Sequence, residues 1–210
     1  MIGGAGYAYP SYLIKRNKNV NIDVAEIDPE LTSLAKKYFG LIESPRLNIY
    51  HEDGRIFLNS ARSKYDSIFI DAFSAYNVPY HLVTLEAINK MSNSLNDNGI
   101  IVANVISSIT GGKGKALRAI YKTFKQVFPQ VYLFPVRLPD QGSIVQNVML
   151  LAIKSQRSQL SSEDPYINGM LKHVWKKDIE DDVAVLTDDH SPVDQYMFFV
   201  YKDIKMRQIN

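Results

Sequence analysis

The stretch NVNIDVAEIDPEL (19–31) contains the change of hydrophobic period on which the fold reading turns. Val20, Ile22 and Val24 recur at every second position, the period of a strand, up to an acidic end at Glu26. Beyond Asp28 the apolar residues switch to helical spacing, at Leu31, Leu34, Ala35, Tyr38 and Phe39. Asp28 suits a helix N-cap, Pro29 the first helical position and Gly40 the stop. The spacing therefore predicts a strand over 19–27 that leads directly into a helix over 28–40.

The same alternation continues outward. RLNIY (46–50) reads as a short strand and GRIFLNSAR (54–62) as a short helix. YDSIFIDAF (65–73) is a strand with an almost continuous apolar core, as parallel strands buried on both faces tend to be. A helix follows over 83–95, a strand over 99–106 and an amphipathic helix over 113–128, for which GGKGK (111–115) is the opening. Two late strands, 130–136 and 147–154, have no helix between them, which predicts an antiparallel last strand. From about 156 the chain reads as a polar helical segment. VAVLTDDHSPVDQYMFFVY (183–201) follows, and its Tyr196, Phe198, Phe199 and Tyr201 suggest a buried closing element or an oligomer contact. This order predicts one α/β domain over 1–210, a doubly wound and mostly parallel sheet with helices on both faces. Ligands of such sheets bind at the carboxyl ends of the strands, where strand order reverses.

Composition narrows the class. Of 210 residues, 46% are hydrophobic and 22% charged, and the net charge of +2 gives no electrostatic reason to expect nucleic acid or a membrane surface. No apolar run is long enough to span a bilayer and no signal peptide is evident, so the expectation is a cytoplasmic protein. Zero cysteines exclude disulfides, thiolate metal sites and a cysteine nucleophile. His51, His81, His173 and His190 lack metal-ligand spacing, so no metal is expected.

Four features fall at the ends of successive strands. Gly3, Gly4 and Gly6 form a glycine loop whose backbone N–H groups can approach a ligand closely. Glu26 lies 20 positions beyond Gly6 and can accept from two ribose hydroxyls. Asp53 and Gly54 can accept from an exocyclic amine, and Asp71 ends an otherwise apolar strand, where a carboxylate is costly unless it meets solvent or a ligand. No lysine or arginine suited to phosphate follows the glycine loop. Together these residues describe a pocket for an adenosine-containing molecule without a dinucleotide's phosphates.

In the order IGGAG, VAEIDPEL, HEDGRIF and YDSIFIDAF, the chain resembles the class I S-adenosylmethionine-dependent methyltransferase fold, and within it spermidine synthases. The likeness covers roughly residues 1–155. That family typically carries an IGGGDGG loop, a VEID strand end, a GDG adenine turn and a D-S-T-D-P loop. The resemblance implies that Glu26 holds the ribose, Asp53 and Gly54 the adenine, and Asp71 the sulfonium end of the donor. The donor is then S-adenosylmethionine or its decarboxylated form, and the acceptor an amine or another nucleophile.

Three departures accompany the likeness. Ser74 stands where the family has its proton-abstracting aspartate, and a serine hydroxyl cannot take a proton near neutral pH without its own base. His81, in the loop after Asp71, is the alternative base. Gly6 replaces the loop aspartate that helps hold a diamine; Asp188 and Asp189, with Tyr7, Tyr76 and Tyr80, are the candidate substitutes. Only Met1 and Ile2 precede the glycine loop, so the first strand and the family's N-terminal β segment are expected to be truncated or supplied by another strand or subunit. Three function readings follow: an aminopropyltransferase-like enzyme acting as a homodimer, a methyltransferase with an unknown acceptor, or a non-catalytic module that keeps the fold.

Overall fold

The computed structural model describes residues 1–60, 64–73 and 78–209. Its strands fall into two groups. β1 (Ile22–Ala25) and β2 (Leu47–Tyr50) pair in parallel, with Val24 opposite Ile49. The second group has the order β3-β4-β6-β5. Here β3 (Tyr65–Ile70) runs parallel to β4 (Leu95–Ser107), and β6 (Gln146–Ile153) is antiparallel to both β4 and β5 (Gln130–Pro135). The late antiparallel strand expected from the sequence is thus inserted between β4 and the edge strand β5.

A very short piece of chain joins the two groups. Ile2 bridges Ala25 on one side and Ile70 on the other, both in parallel. The Ile2 amide donates to the Phe69 carbonyl at 2.7 Å, and the Ile2 carbonyl accepts from the Asp71 amide at 3.0 Å. On the other side the Gly3 amide donates to the Ala25 carbonyl at 2.9 Å. The expected central strand is therefore present only as the segment around Ile2, and the glycine loop begins where that segment ends.

Local sequence signals account for most of the helices. Asp28 caps α2 (Pro29–Tyr38) by accepting from the Glu30 amide at 2.8 Å, and Gly40 follows with a positive φ of 68°. Thr84 caps α4 (Leu85–Ser94). α5 (Lys115–Val127) follows a 3₁₀ turn at Gly112–Gly114, the expected opening, and buries Leu117, Ile120 and Phe124 against the sheet. α3 (Gly54–Ser60) is short, and α1 (Ala8–Arg16) is a helix that the periodicity reading did not assign. Arg118 of α5, almost fully buried, donates through Nε and Nη2 to both oxygens of Asp182 at 2.7 Å each, which straps residues 180–182 onto the helix.

Two expectations are corrected, and the exposure of one helix face is settled. The polar helical segment after 156 contracts to α6 (Pro165–Leu171). The apolar stripe of α2 is not buried: Ala35 packs inward, while Leu31, Leu34, Tyr38 and Phe39 are exposed, because the two strands beneath give that helix little surface to cover. Of the C-terminal aromatics, Tyr196 is partly buried against the core, while Phe198, Phe199 and Tyr201 are exposed. α7 (Val193–Ile209) buries Val193, Met197 and Val200, spaced four and three apart on one face, and this turns Phe198 and Phe199 outward.

Candidate functional site

The junction between the two strand groups opens into a cleft of about 790 Å³ at the carboxyl ends of β1 and β3. Gly3 and Ala5 form part of its floor, Glu26 and Leu31 one wall, and Asp53 and Gly54 another. Asp71 to Phe73, Pro79 to Leu82 and Asp194 complete the lining. The fold thus brings Gly3, Glu26, Asp53, Gly54 and Asp71, which the sequence sets at the ends of successive strands, into one cleft.

The loop has a conformation that glycine suits. Gly3 has φ 87°, and a Cβ there would lie 2.7 Å from the Asp71 carbonyl oxygen. Ala5 and Tyr7 also adopt left-handed backbone, at φ 43° and 53°, without being glycine. That turn drives the Tyr7 ring into the interior, where it is fully buried and its hydroxyl lies 2.7 Å from the Thr32 hydroxyl. The Gly4 site has no room for a Cβ, which would lie 2.5 Å from the Tyr7 ring. Burial raises the Tyr7 pKa, keeping its phenol protonated. Tyr7, expected at the acceptor site, is a core residue under the loop. Gly6 rests beside the Phe39 ring and is not part of the cleft lining.

Glu26 is 5% exposed, and its carboxylate is fixed by backbone amides. Oε2 accepts from Gly4 and Ala5 at 2.7 and 3.0 Å, and Oε1 from Asp28 at 3.0 Å. The loop amides expected to face a ligand thus orient Glu26. A carboxylate has about four acceptor positions, so three amides leave capacity for a hydroxyl in the cleft.

Asp53 caps α3 through the Arg55 amide at 2.7 Å and approaches His81 Nε2 at 2.9 Å with its other oxygen. An ionised carboxylate only accepts, so Nε2 carries the proton and Nδ1 is the ring nitrogen that can receive one. Tyr80 packs edge-on against the His81 ring. Asp71 accepts from the Asn104 amide group at 3.0 Å, and Asn104 accepts in turn from Asn147 at 2.9 Å, a polar row across β3, β4 and β6.

The two C-terminal carboxylates expected at the acceptor site are placed elsewhere. Asp188 accepts from Thr84 at 2.6 Å and from Arg55 at 2.8 Å, while its amide donates to Glu86, so it fastens the C-terminal segment to α3 and α4. Asp189 is exposed and does not line the cleft. Asp194, in the first turn of α7, does line it and was missed. It belongs to the same TDDHSPVDQ run (187–195), where an acid two positions after a proline at a helix start was the available signal. Ser74 and Tyr76 lie outside the described residues.

The spermine/spermidine synthase domain model matches residues 1–162. A polyamine aminopropyltransferase of Vibrio vulnificus is 27% identical over 209 residues, covering 91% of this chain and 67% of that protein. Of several other curated relatives it matches, the chain spans about half the length. Among solved structures, human methyltransferase-like protein 13 in complex with SAH has a TM-score of 0.65 at 22% identity, covering 90% of this chain and 86% of that one. A probable spermidine synthase from Corynebacterium glutamicum has a TM-score of 0.68 at 20% identity, covering 85% and 62%. These structural likenesses establish the fold, a Rossmann-like sheet of the class I methyltransferase type.

Proposed function

The chain belongs to the spermine/spermidine synthase family, and from that membership we propose that it transfers an alkyl group from a sulfonium nucleoside to an amine. The observation that carries this reading is the charge of the cleft. Glu26, Asp53, Asp71 and Asp194 line it, and no lysine or arginine does among the described residues. Such a cleft favours a cationic donor and a cationic acceptor and disfavours anionic groups. The adenosine would be held by Glu26 at the ribose and by Asp53 with Gly54 at the base, with Asp71 near the sulfonium.

The same charge bears on which donor is used. Intact S-adenosylmethionine carries a carboxylate that would meet no cationic side chain here, whereas the decarboxylated form carries none. We therefore favour aminopropyl transfer. In that reaction the amine nitrogen attacks the methylene carbon bonded to sulfur. The C–N bond forms as the C–S bond breaks, and the bonding pair stays on sulfur, which leaves as a neutral thioether. The ammonium form of the acceptor must first lose a proton, and His81 Nδ1 is the assigned recipient, with Asp53 orienting the ring and stabilising its charged form. In-line positioning and exclusion of water supply most of the remaining acceleration.

Methyl transfer from the intact donor is the second reading, and Gly6 favours it, because this position carries an acceptor-binding aspartate in the resembled motif. A homodimer in the cytoplasm is part of the first reading, and exposed Phe198 and Phe199 supply apolar surface for such a contact. Calorimetric titration with both donors tests the assignment. Tighter binding of the decarboxylated form is expected, and preference for the intact form would overturn aminopropyl transfer. Asp71→Asn should lower turnover about 100-fold and weaken donor binding; unchanged turnover would remove Asp71 from the site.

A further inference from the structure

We infer that Arg55 is a positioning residue for His81, fixing the ring that receives the acceptor's proton; the inference rests on the amine-alkylation reading above. Arg55 is the second residue of α3, directly after Asp53 and Gly54, and it lies outside the cleft lining. Its backbone amide holds Asp53 Oδ1 at 2.7 Å, while Asp53 Oδ2 lies 2.9 Å from His81 Nε2. Its Nη1 donates to the His81 carbonyl at 3.0 Å. Both members of the Asp53–His81 pair are therefore tied to one residue, the carboxylate through the Arg55 main chain and the histidine through the Arg55 side chain.

The guanidinium is itself held from the other side. Nη1 also donates to the Thr84 hydroxyl at 3.3 Å, and Nη2 donates to Asp188 Oδ2 at 2.8 Å. Thr84 is fully buried, and its hydroxyl donates to Asp188 Oδ1 at 2.6 Å and accepts from the Ala87 amide at 3.4 Å. A hydroxyl has one proton and two lone pairs, so this one is fully used. Leu82 and Val83 anchor the loop of His81 by burial, but apolar contact has no direction; the bond to the His81 carbonyl supplies it. The His81 side chain is 38% exposed, so packing leaves its orientation largely to hydrogen bonds. A lysine at position 55 could keep the ion pair with Asp188. With a single nitrogen on a flexible stem, it could not span Asp188 and the His81 carbonyl in the same fixed geometry.

The test measures turnover of decarboxylated S-adenosylmethionine with 1,4-diaminobutane in Arg55→Lys, His81→Gln and the double variant. Arg55→Lys should lower kcat about 10- to 100-fold while calorimetric donor affinity stays within about twofold, because a misplaced base slows the chemical step without touching the donor. In the His81→Gln background the same substitution should change kcat by less than about twofold, since residues that act through one another are not additive. Asp188→Asn keeps the bond from Arg55 to His81 but releases the other arm of the fork, and should give a smaller loss with the same dependence on His81. A full Arg55→Lys loss in the His81→Gln background, or wild-type kcat in Arg55→Lys, overturns this assignment while leaving amine alkylation in place. A His81→Gln chain as active as wild type overturns the assigned base and the role of Arg55 together. A wild-type chain inert with either donor overturns amine alkylation itself.

Discussion

The two strand groups that meet at the cleft are held together in different ways. The β3-β4-β6-β5 group encloses an extensive apolar core in which Ile70, Ile101, Val105 and Leu150 are fully buried beneath α4 and α5. The β1-β2 group has a small core of Tyr7, Val24, Ala35 and Leu41, and leaves Leu34, Tyr38 and Phe39 in solvent. Polar ties do much of the work there. Glu26 fastens the glycine loop, Tyr7 and His51 both meet the Thr32 hydroxyl, and Arg46 donates to the carbonyls of Ile14 and Asn17. The lesson is a division of labour: Glu26, proposed to hold the ribose, sits on the weakly cored half, while Asp71 sits on the strongly cored half.

That contrast can be broken most directly by emptying each half. Ile120→Ala, in the larger core, should lower unfolding free energy by about 2–5 kcal/mol in urea titrations, whereas Leu34→Ala, on exposed α2, should change it by less than about 0.5 kcal/mol. Similar costs would mean that the exposed face of α2 is covered in solution. At the seam between the halves, Gly3→Ala should cost about 1–3 kcal/mol, because a side chain there needs left-handed backbone and meets the Asp71 carbonyl. It should also weaken donor binding, measured by calorimetry; retained affinity with normal stability would show that the seam accommodates the change. Within the smaller half, Tyr7→Phe removes only the bond to Thr32 and should cost about 1 kcal/mol by thermal or urea unfolding.

The smallest effect expected is a pH dependence confined to the larger half. The hydrogen bonds from Arg118 hold the Asp182 carboxyl below its usual range. A depressed folded pKa means that the unfolded chain takes up the proton first. The stability from this pair is therefore fully present above the ordinary carboxylate value and is lost as pH falls through the lower folded value. The Tm difference between wild type and Asp182→Asn should be constant near neutrality and shrink below about pH 4. A difference that stays constant into strong acid would detach Asp182 from this role.

The strand-end carboxylates of the cleft were legible because their signals are local. The strand-to-helix switch around Asp28, the capping of α2 and the carboxylates at the ends of β1 and β3 depend on neighbours within a few residues, and the fold reproduces them. Tyr7 was misjudged because its direction is set by a left-handed backbone angle that side-chain type does not disclose. The exposure of α2 was not legible because period reports which face is apolar, while the covering surface must come from strands elsewhere in the chain.

The clearest separation lies between Asp188 and Asp194, six positions apart and chemically the same. The sequence by itself determined an α/β order, a glycine loop and acids at the strand ends, since hydrophobic period, caps and turns are short-range effects. Only the tertiary structure decided which of these two acids is available. Arg55 and Thr84, each more than 100 positions away in sequence, neutralise and anchor Asp188, while the first turn of α7 turns Asp194 into the cleft. Charge compensation depends on distance in space, and that distance is fixed only when the chain has folded.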